Sequence, residues 1–273
     1  MEQSEPGAAA FVELDHTLVA GAATFALARG LAAKGSLTTR DLAAMAWHHA
    51  RYSVPGIPGA PGTAGGSAGY HGEYVFDVSL DYLAGRRVEH LVSLADEGFD
   101  DYIAHSVWPG TQSLLQRHLR RGEPVWLLAS TPSEISSVYA SRLGLTGALA
   151  TVAEVRGGRY TGRLLGRPLR GPARAEAVSA LARREGLNLQ HCTAYAHSTE
   201  DLPLLELVGH PVAVNPLPDL AQLARQRGWP RYDFRRRQRR LGLASASAGA
   251  AAVAAAVAGT AWARKSLRFG ASS

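Results

Sequence analysis

The chain has 273 residues, 46% hydrophobic and 19% charged, which is an ordinary globular composition long enough for one core domain plus a smaller second one. Its net charge of +6 does not read as a nucleic-acid footprint, because many basic residues crowd into Arg231, Arg235, Arg236, Arg237, Arg239 and Arg240 instead of lining a groove. A single cysteine, Cys192, excludes an intrachain disulfide and a cysteine-based zinc site, and the first ten residues hold Glu2 and Glu5 without an apolar run, so no secretory signal is read and a reducing, cytoplasmic setting is expected.

Phe11-Val12-Glu13-Leu14-Asp15-His16-Thr17-Leu18-Val19 is an apolar run that ends in two carboxylates two residues apart, followed by a threonine. Residues i and i+2 of an extended segment point the same way, so Glu13 and Asp15 can share a pocket at the strand's carboxyl end, where open α/β sheets take ligands. The plainer alternative is a solvated turn after a buried strand. A helical pattern follows from Ala22 to Ala33, and helix spacing continues in Leu42 to Met45 and Val88 to Val92 as far as about Leu119, interrupted by the Pro-, Gly- and Ala-rich loop Ser53 to Gly72. Pro124 to Ala129 fits a buried strand, and Ser130-Thr131-Pro132-Ser133-Glu134 reads as an N-cap-like helix start. Leu149 to Val152 suits a further strand, and Glu154 to Leu164, centred on Gly157-Gly158, a β-hairpin.

Glu13-Leu14-Asp15-His16-Thr17-Leu18 resembles the first motif of the haloacid-dehalogenase superfamily, Asp-x-Asp-x-Thr, with the leading Asp replaced by Glu13. His191 to Leu205 resembles the fourth motif, Tyr-x-Asp-Ser-x-x-Asp-Leu-Pro, and is followed by Val208 to Pro216, similar to the Val-Gly-His-Pro-Val-Ala-Val-Asn-Pro of subfamily IB, the phosphoserine-phosphatase-like branch. The resemblance covers most of residues 9–234. It implies a three-layer α/β fold with a Rossmann-like parallel sheet in a core of residues 1–20 and 106–234, a small helical cap of the C1 type at 21–105, and a basic, Ala-rich extension at 235–273. Some actinobacterial members of the family are associated with morphological differentiation, and the Arg/Ala-heavy composition is compatible with such a source.

The resemblance also implies a mechanism: the first Asp attacks phosphorus, the second serves as acid and base, and Mg²⁺ screens the charge. By position, Glu13 and Asp15 are the catalytic pair, Ser130 and Arg174 the phosphate-binding residues, and Glu13, Asp15, His197 and Asp201 the metal set. Several stations depart from the pattern. An ungapped alignment puts Ala129 where the family has a phosphate-binding hydroxyl, and a one-residue offset restores it through Ser130. Arg174 stands where the family has a lysine, and the lysines of this chain are Lys34 and Lys265 alone. Arg174 reads either as an anion holder or as a surface helix charge. His197 replaces a carboxylate ligand of Mg²⁺, which makes Mg²⁺ doubtful. An imidazole suits zinc, copper, nickel or iron better, or supplies a positive charge of its own, or hydrogen-bonds Glu13 or Asp15.

Change at four stations that share one phosphate points to a released hydrolytic function: a pseudoenzyme that binds or regulates, with a phosphorylated small molecule or a protein as partner. The alternative is a metal-dependent phosphomonoesterase with Glu13 as nucleophile. Residues Leu241 to Ala263 carry no charge, matching a bilayer span in length but built of Ala, Gly and Ser. The tail, residues 235–268, reads as an anchor on an anionic membrane or as an Ala-rich helix or disordered segment.

Overall fold

The computed structural model describes residues 5–23 and 83–235. Residues 24–82, which include most of the expected cap and the 53–72 loop, and the tail from 236 onward lie outside the described residues. The chain divides into two units, Met1–Tyr232 and Asp233–Ser273, and every element below belongs to the first.

Six parallel strands form one sheet in the order β3-β2-β1-β6-β7-β8. These are β1 Ala10–Glu13, β2 Val125–Pro132, β3 Gly147–Thr151, β6 Thr193–Ala196, β7 His210–Val214 and β8 Arg231–Tyr232, and the hairpin strands β4 Ala153–Arg156 and β5 Arg159–Leu164 pair antiparallel apart from them. Strands β1 and β6 are wholly buried, as parallel strands covered on both faces must be, and that is why they read as unbroken apolar runs. Phe11 stands opposite Trp126 on one side and Ala194 on the other. Because β1 is flanked by β2 and β6, the strand order reverses beside it, and a crevice opens at the carboxyl ends of β1, β2 and β6.

The helices are α1 Val88–Glu97, α2 Pro109–Arg120, α3 Ser133–Arg142, α4 Pro172–Glu185, α5 Leu202–Leu207 and α6 Pro218–Gln226. Phe11, Leu128, Ala194 and Ala196 pack on one face against Val178 and Leu181 of α4, Leu204 and Leu205 of α5 and Leu220 of α6. Tyr195 points the opposite way from its neighbours, and its hydroxyl meets His118 of α2, which places α2 on the other face. The sheet therefore lies between helical layers, as the sequence reading anticipates. Val19 and Val107 form an antiparallel bridge flanked by Ala20 N–H to Ser106 O (2.7 Å) and Trp108 N–H to Leu18 O (2.9 Å), so the chain leaves and re-enters the sheet layer through two adjacent segments.

One boundary differs from the sequence reading. Ser130, Thr131 and Pro132 continue β2, and α3 begins only at Ser133. The pairing of β2 with β3 slips between Ala129 and Pro132, so the strand absorbs extra residues as a bulge. The hydroxyls of Thr131 and Ser136 bond each other (2.6 Å) rather than capping the helix.

Candidate functional site

Glu13 closes β1 with its side chain turned into the crevice and only 3% exposed. Each of its oxygens is met by donors. Oε1 accepts from Arg174 Nη1 at 2.8 Å, and Oε2 accepts from Thr17 Oγ1 at 2.9 Å, from His197 Nδ1 at 2.6 Å and from the His197 amide at 3.3 Å. Burial pushes the carboxyl up, but His197 and Arg174 together hold it well below the usual range.

Arg174 sits in the first turn of α4, whose start is fixed by Gly171 with φ +47 and Pro172 in the first turn. A side chain at Gly171 would meet Glu200 O at an ordinary contact distance of 3.4 Å, so the positive φ is what calls for glycine here, beside the turn carrying Asp201. Arg174 Nη1 lies 2.6 Å from both oxygens of Asp201, and Nε donates to Leu169 O at 3.2 Å. Being 3% exposed, Arg174 is no surface charge, and its Nη1 alone faces both carboxylates. Burial opposes its charge, yet Asp201 and Glu13 raise its pKa further. Asp201 is fully buried, and desolvation lifts it to about 7 in spite of Arg174. Burial likewise works against a charged His197, and Glu13 overrides it and raises the imidazole's pKa. The plainest of the readings of His197, a hydrogen bond to Glu13, is the one the geometry adopts.

Asp15 is only half-buried. Its Oδ1 accepts from the Ala23 amide at 2.7 Å, and its Oδ2 lies 3.5 Å from Ser130 Oγ, so the offset alignment is the one that brings a hydroxyl into the site. Ala129 stays buried within the sheet. Directly after Asp15, His16 takes a left-handed conformation (φ +58), and its ring lies 5.0 Å from that of His197. A non-glycine residue in that region costs about 1 to 3 kcal/mol, a strain that concentrates at functional sites.

Thus Glu13, Arg174 and Asp201 form one buried cluster with the partly buried His197, and Asp15 and Ser130 form a second group beside it. The donor set does not fit Mg²⁺, which wants several oxygen ligands and retained waters, because the oxygens of Glu13 and Asp201 are already met by nitrogen and hydroxyl donors. Among the described residues, no group of three or more His, Cys, Asp and Glu is arranged to hold a metal ion.

Two residues that the sequence reading left without a role complete the arrangement. Thr111 of α2 donates to Thr17 O at 2.9 Å, and Asn215, itself left-handed with φ +47, donates to His16 O at 3.4 Å. Thr111 is 94 residues from its partner and lies outside any motif, so no local signal marks it. Asn215 lies in the matched Val208–Pro216 stretch, where its position was the available clue.

The family profile of haloacid dehalogenase-like hydrolases matches residues 10–206. A Mycobacterium tuberculosis (strain ATCC 25618 / H37Rv) protein named phosphoserine phosphatase SerB1 is 44% identical over 238 residues, covering 86% of this chain and 74% of that one. A Streptomyces azureus protein named inhibition of morphological differentiation protein is 30% identical over 238 residues, covering 85% and 80%. Among solved structures, a protein of unknown function from Bordetella pertussis Tohama I superimposes with a TM-score of 0.69 at 28% identity, over 83% of this chain and 98% of that one.

Proposed function

Since the chain belongs to the haloacid dehalogenase-like hydrolase family, we propose that it is a phosphatase-fold protein whose hydrolytic site has been converted into a structural ion cluster, and that it acts by binding. One observation carries this reading: the carboxylate at the nucleophile position, Glu13, is 3% exposed and both of its oxygens are met by donors. In-line attack on phosphorus needs an oxygen free to reach the reacting atom, and a misplacement of about an ångström alone costs on the order of a hundredfold. In this reading the partner is a phosphorylated small molecule or a protein, met at the Asp15–Ser130 group. The name of the Streptomyces azureus relative supports a regulatory role in development.

A second reading, a phosphomonoesterase that uses Glu13, is favoured by the name of the 44% identical mycobacterial relative. Purified protein assayed for phosphate release from phosphoserine and a panel of other monoesters, with Mg²⁺, Mn²⁺ or Zn²⁺, separates the two. The expected result is release no faster than the buffer control. Turnover that disappears in Asp15→Asn establishes the second reading and removes the first.

A further inference from the structure

The family resemblance asks for a divalent cation beside Glu13, and the pocket answers with nitrogen. Arg174 Nη1 stands within 2.8 Å of Glu13 Oε1 and 2.6 Å of each oxygen of Asp201, at the centre of the three atoms a cation would be drawn to. Glu13 Oε2 is closed off by Thr17 Oγ1, by the His197 amide and by His197 Nδ1, whose proton faces Glu13 whether the ring is neutral or charged. The carbonyl of Asp15 already accepts the Thr17 amide at 2.7 Å. Glu13, Arg174 and Asp201 are at most 3% exposed, which shuts them off from the bulk water that supplies the ligands Mg²⁺ keeps. A cation entering here would strand buried N–H groups without acceptors.

We propose that Arg174 and His197 are the permanent counter-ions of this pocket, so that the native protein takes no divalent cation beside Glu13. The inference rests on the reading of the pocket as converted, and it goes further by assigning the exclusion of metal to two named side chains. The cluster neutralises its own buried carboxylates with cations tethered to α4 and to the turn after β6, and folding completes it without a metal.

The test uses the full chain. Thermal unfolding is followed with EDTA and with about 10 mM Mg²⁺ or Mn²⁺, alongside calorimetric titration with the same ions; an ion present at about 100-fold over its Kd raises Tm by about 5–10 °C in a protein of this size. The expected wild-type result is the same Tm in all conditions and no titration heat. A triple variant, Glu13→Asp with Arg174→Lys and His197→Asp, removes both the guanidinium and the imidazole from the three oxygens and is expected to gain Mn²⁺ binding, seen as loss of the free-ion paramagnetic resonance signal. Metal-dependent stabilisation of the wild type overturns the proposal. So does a folded triple variant that binds no ion, because the exclusion then does not lie in these side chains. Phosphate release by a wild type that binds no ion sinks the functional reading and leaves this inference standing, whereas ion binding without phosphate release does the reverse.

Discussion

Arg174 shows what a single residue decides here. A lysine would offer one compact ammonium, whereas the guanidinium spans Leu169 O on one side and two carboxylates on the other, and this fork holds α4, β1 and the Asp201 turn together. Removing one partner of a buried ion cluster leaves the others uncompensated, so Arg174→Met is expected to lower the stability by about 3–5 kcal/mol, measured by urea unfolding. Combining it with Glu13→Gln restores part of the loss, since fewer buried charges are then left without a partner; a double-mutant cycle that is additive removes the direct coupling argued here. Ser198 offers the contrasting case. Its Oγ is buried without a hydrogen-bond partner among the described residues, so Ser198→Ala is expected to leave the urea midpoint unchanged or to raise it.

At the level of elements, the fold was legible wherever the pattern was local. The Gly157-Gly158 pair, with φ of +55 and +72, supplies the two left-handed residues that a tight hairpin turn needs, and β4 and β5 form on either side of it. The apolar run at β1 and the helix-spaced segment at α1 were equally readable. The end of β2 was not. Ser130-Thr131-Pro132-Ser133-Glu134 carries helix-start chemistry, but pairing with β3 through a bulge keeps the first three residues extended, a tertiary effect that no local window contains. The candidate site was legible as a list of positions and not as a network: Glu13, Arg174, His197 and Asp201 were each named, but Arg174 is held inward by partners 161 and 27 residues away in the chain, pairings that no local window contains. A backbone contact does make Gly209 informative, because a side chain there would lie 1.9 Å from Gln190 O, a backbone atom that cannot swing aside. Gly209→Ala is therefore expected to cost about 3 kcal/mol, the upper end of overpacking penalties, read as a drop in Tm; an unchanged Tm would mean that the turn before β7 yields easily.

For the molecule as a whole, α2 is the strut that joins the two ends of the sheet. Its first turn holds Thr17 through Thr111, and two turns further on His118 bonds the Tyr195 hydroxyl at 2.7 Å and the Glu123 carboxylate, which Arg121 also grips at 2.8 Å. His118 is 5% exposed and Glu123 6%, so these groups titrate against the folded state itself. Burial lowers the pKa of His118 below 6.5, aided by the charges of Arg121 and His210 and opposed by Glu123. Burial alone would raise Glu123, but Arg121 and His118 hold it below 4.5. Both shifts act in the same direction. Below about pH 6.5 the unfolded chain protonates its histidine while the folded one resists, and below about pH 4.5 the same holds for the glutamate, so the stability that these two groups contribute falls as pH drops through each window in turn. Asp201 and His197, whose pKa values are raised, act in the opposite direction, so the share of His118 is read from the difference in urea midpoint between wild type and a His118 variant, measured from pH 8 down to pH 4. In His118→Gln, an amide takes the place of the ring, and the difference from the wild type is expected to move against the wild type as pH falls below about 6.5, whereas the Glu123 contribution below about pH 4.5 is shared by both. If the variant keeps the full wild-type slope, the acid sensitivity belongs to other groups and the strut does not carry it.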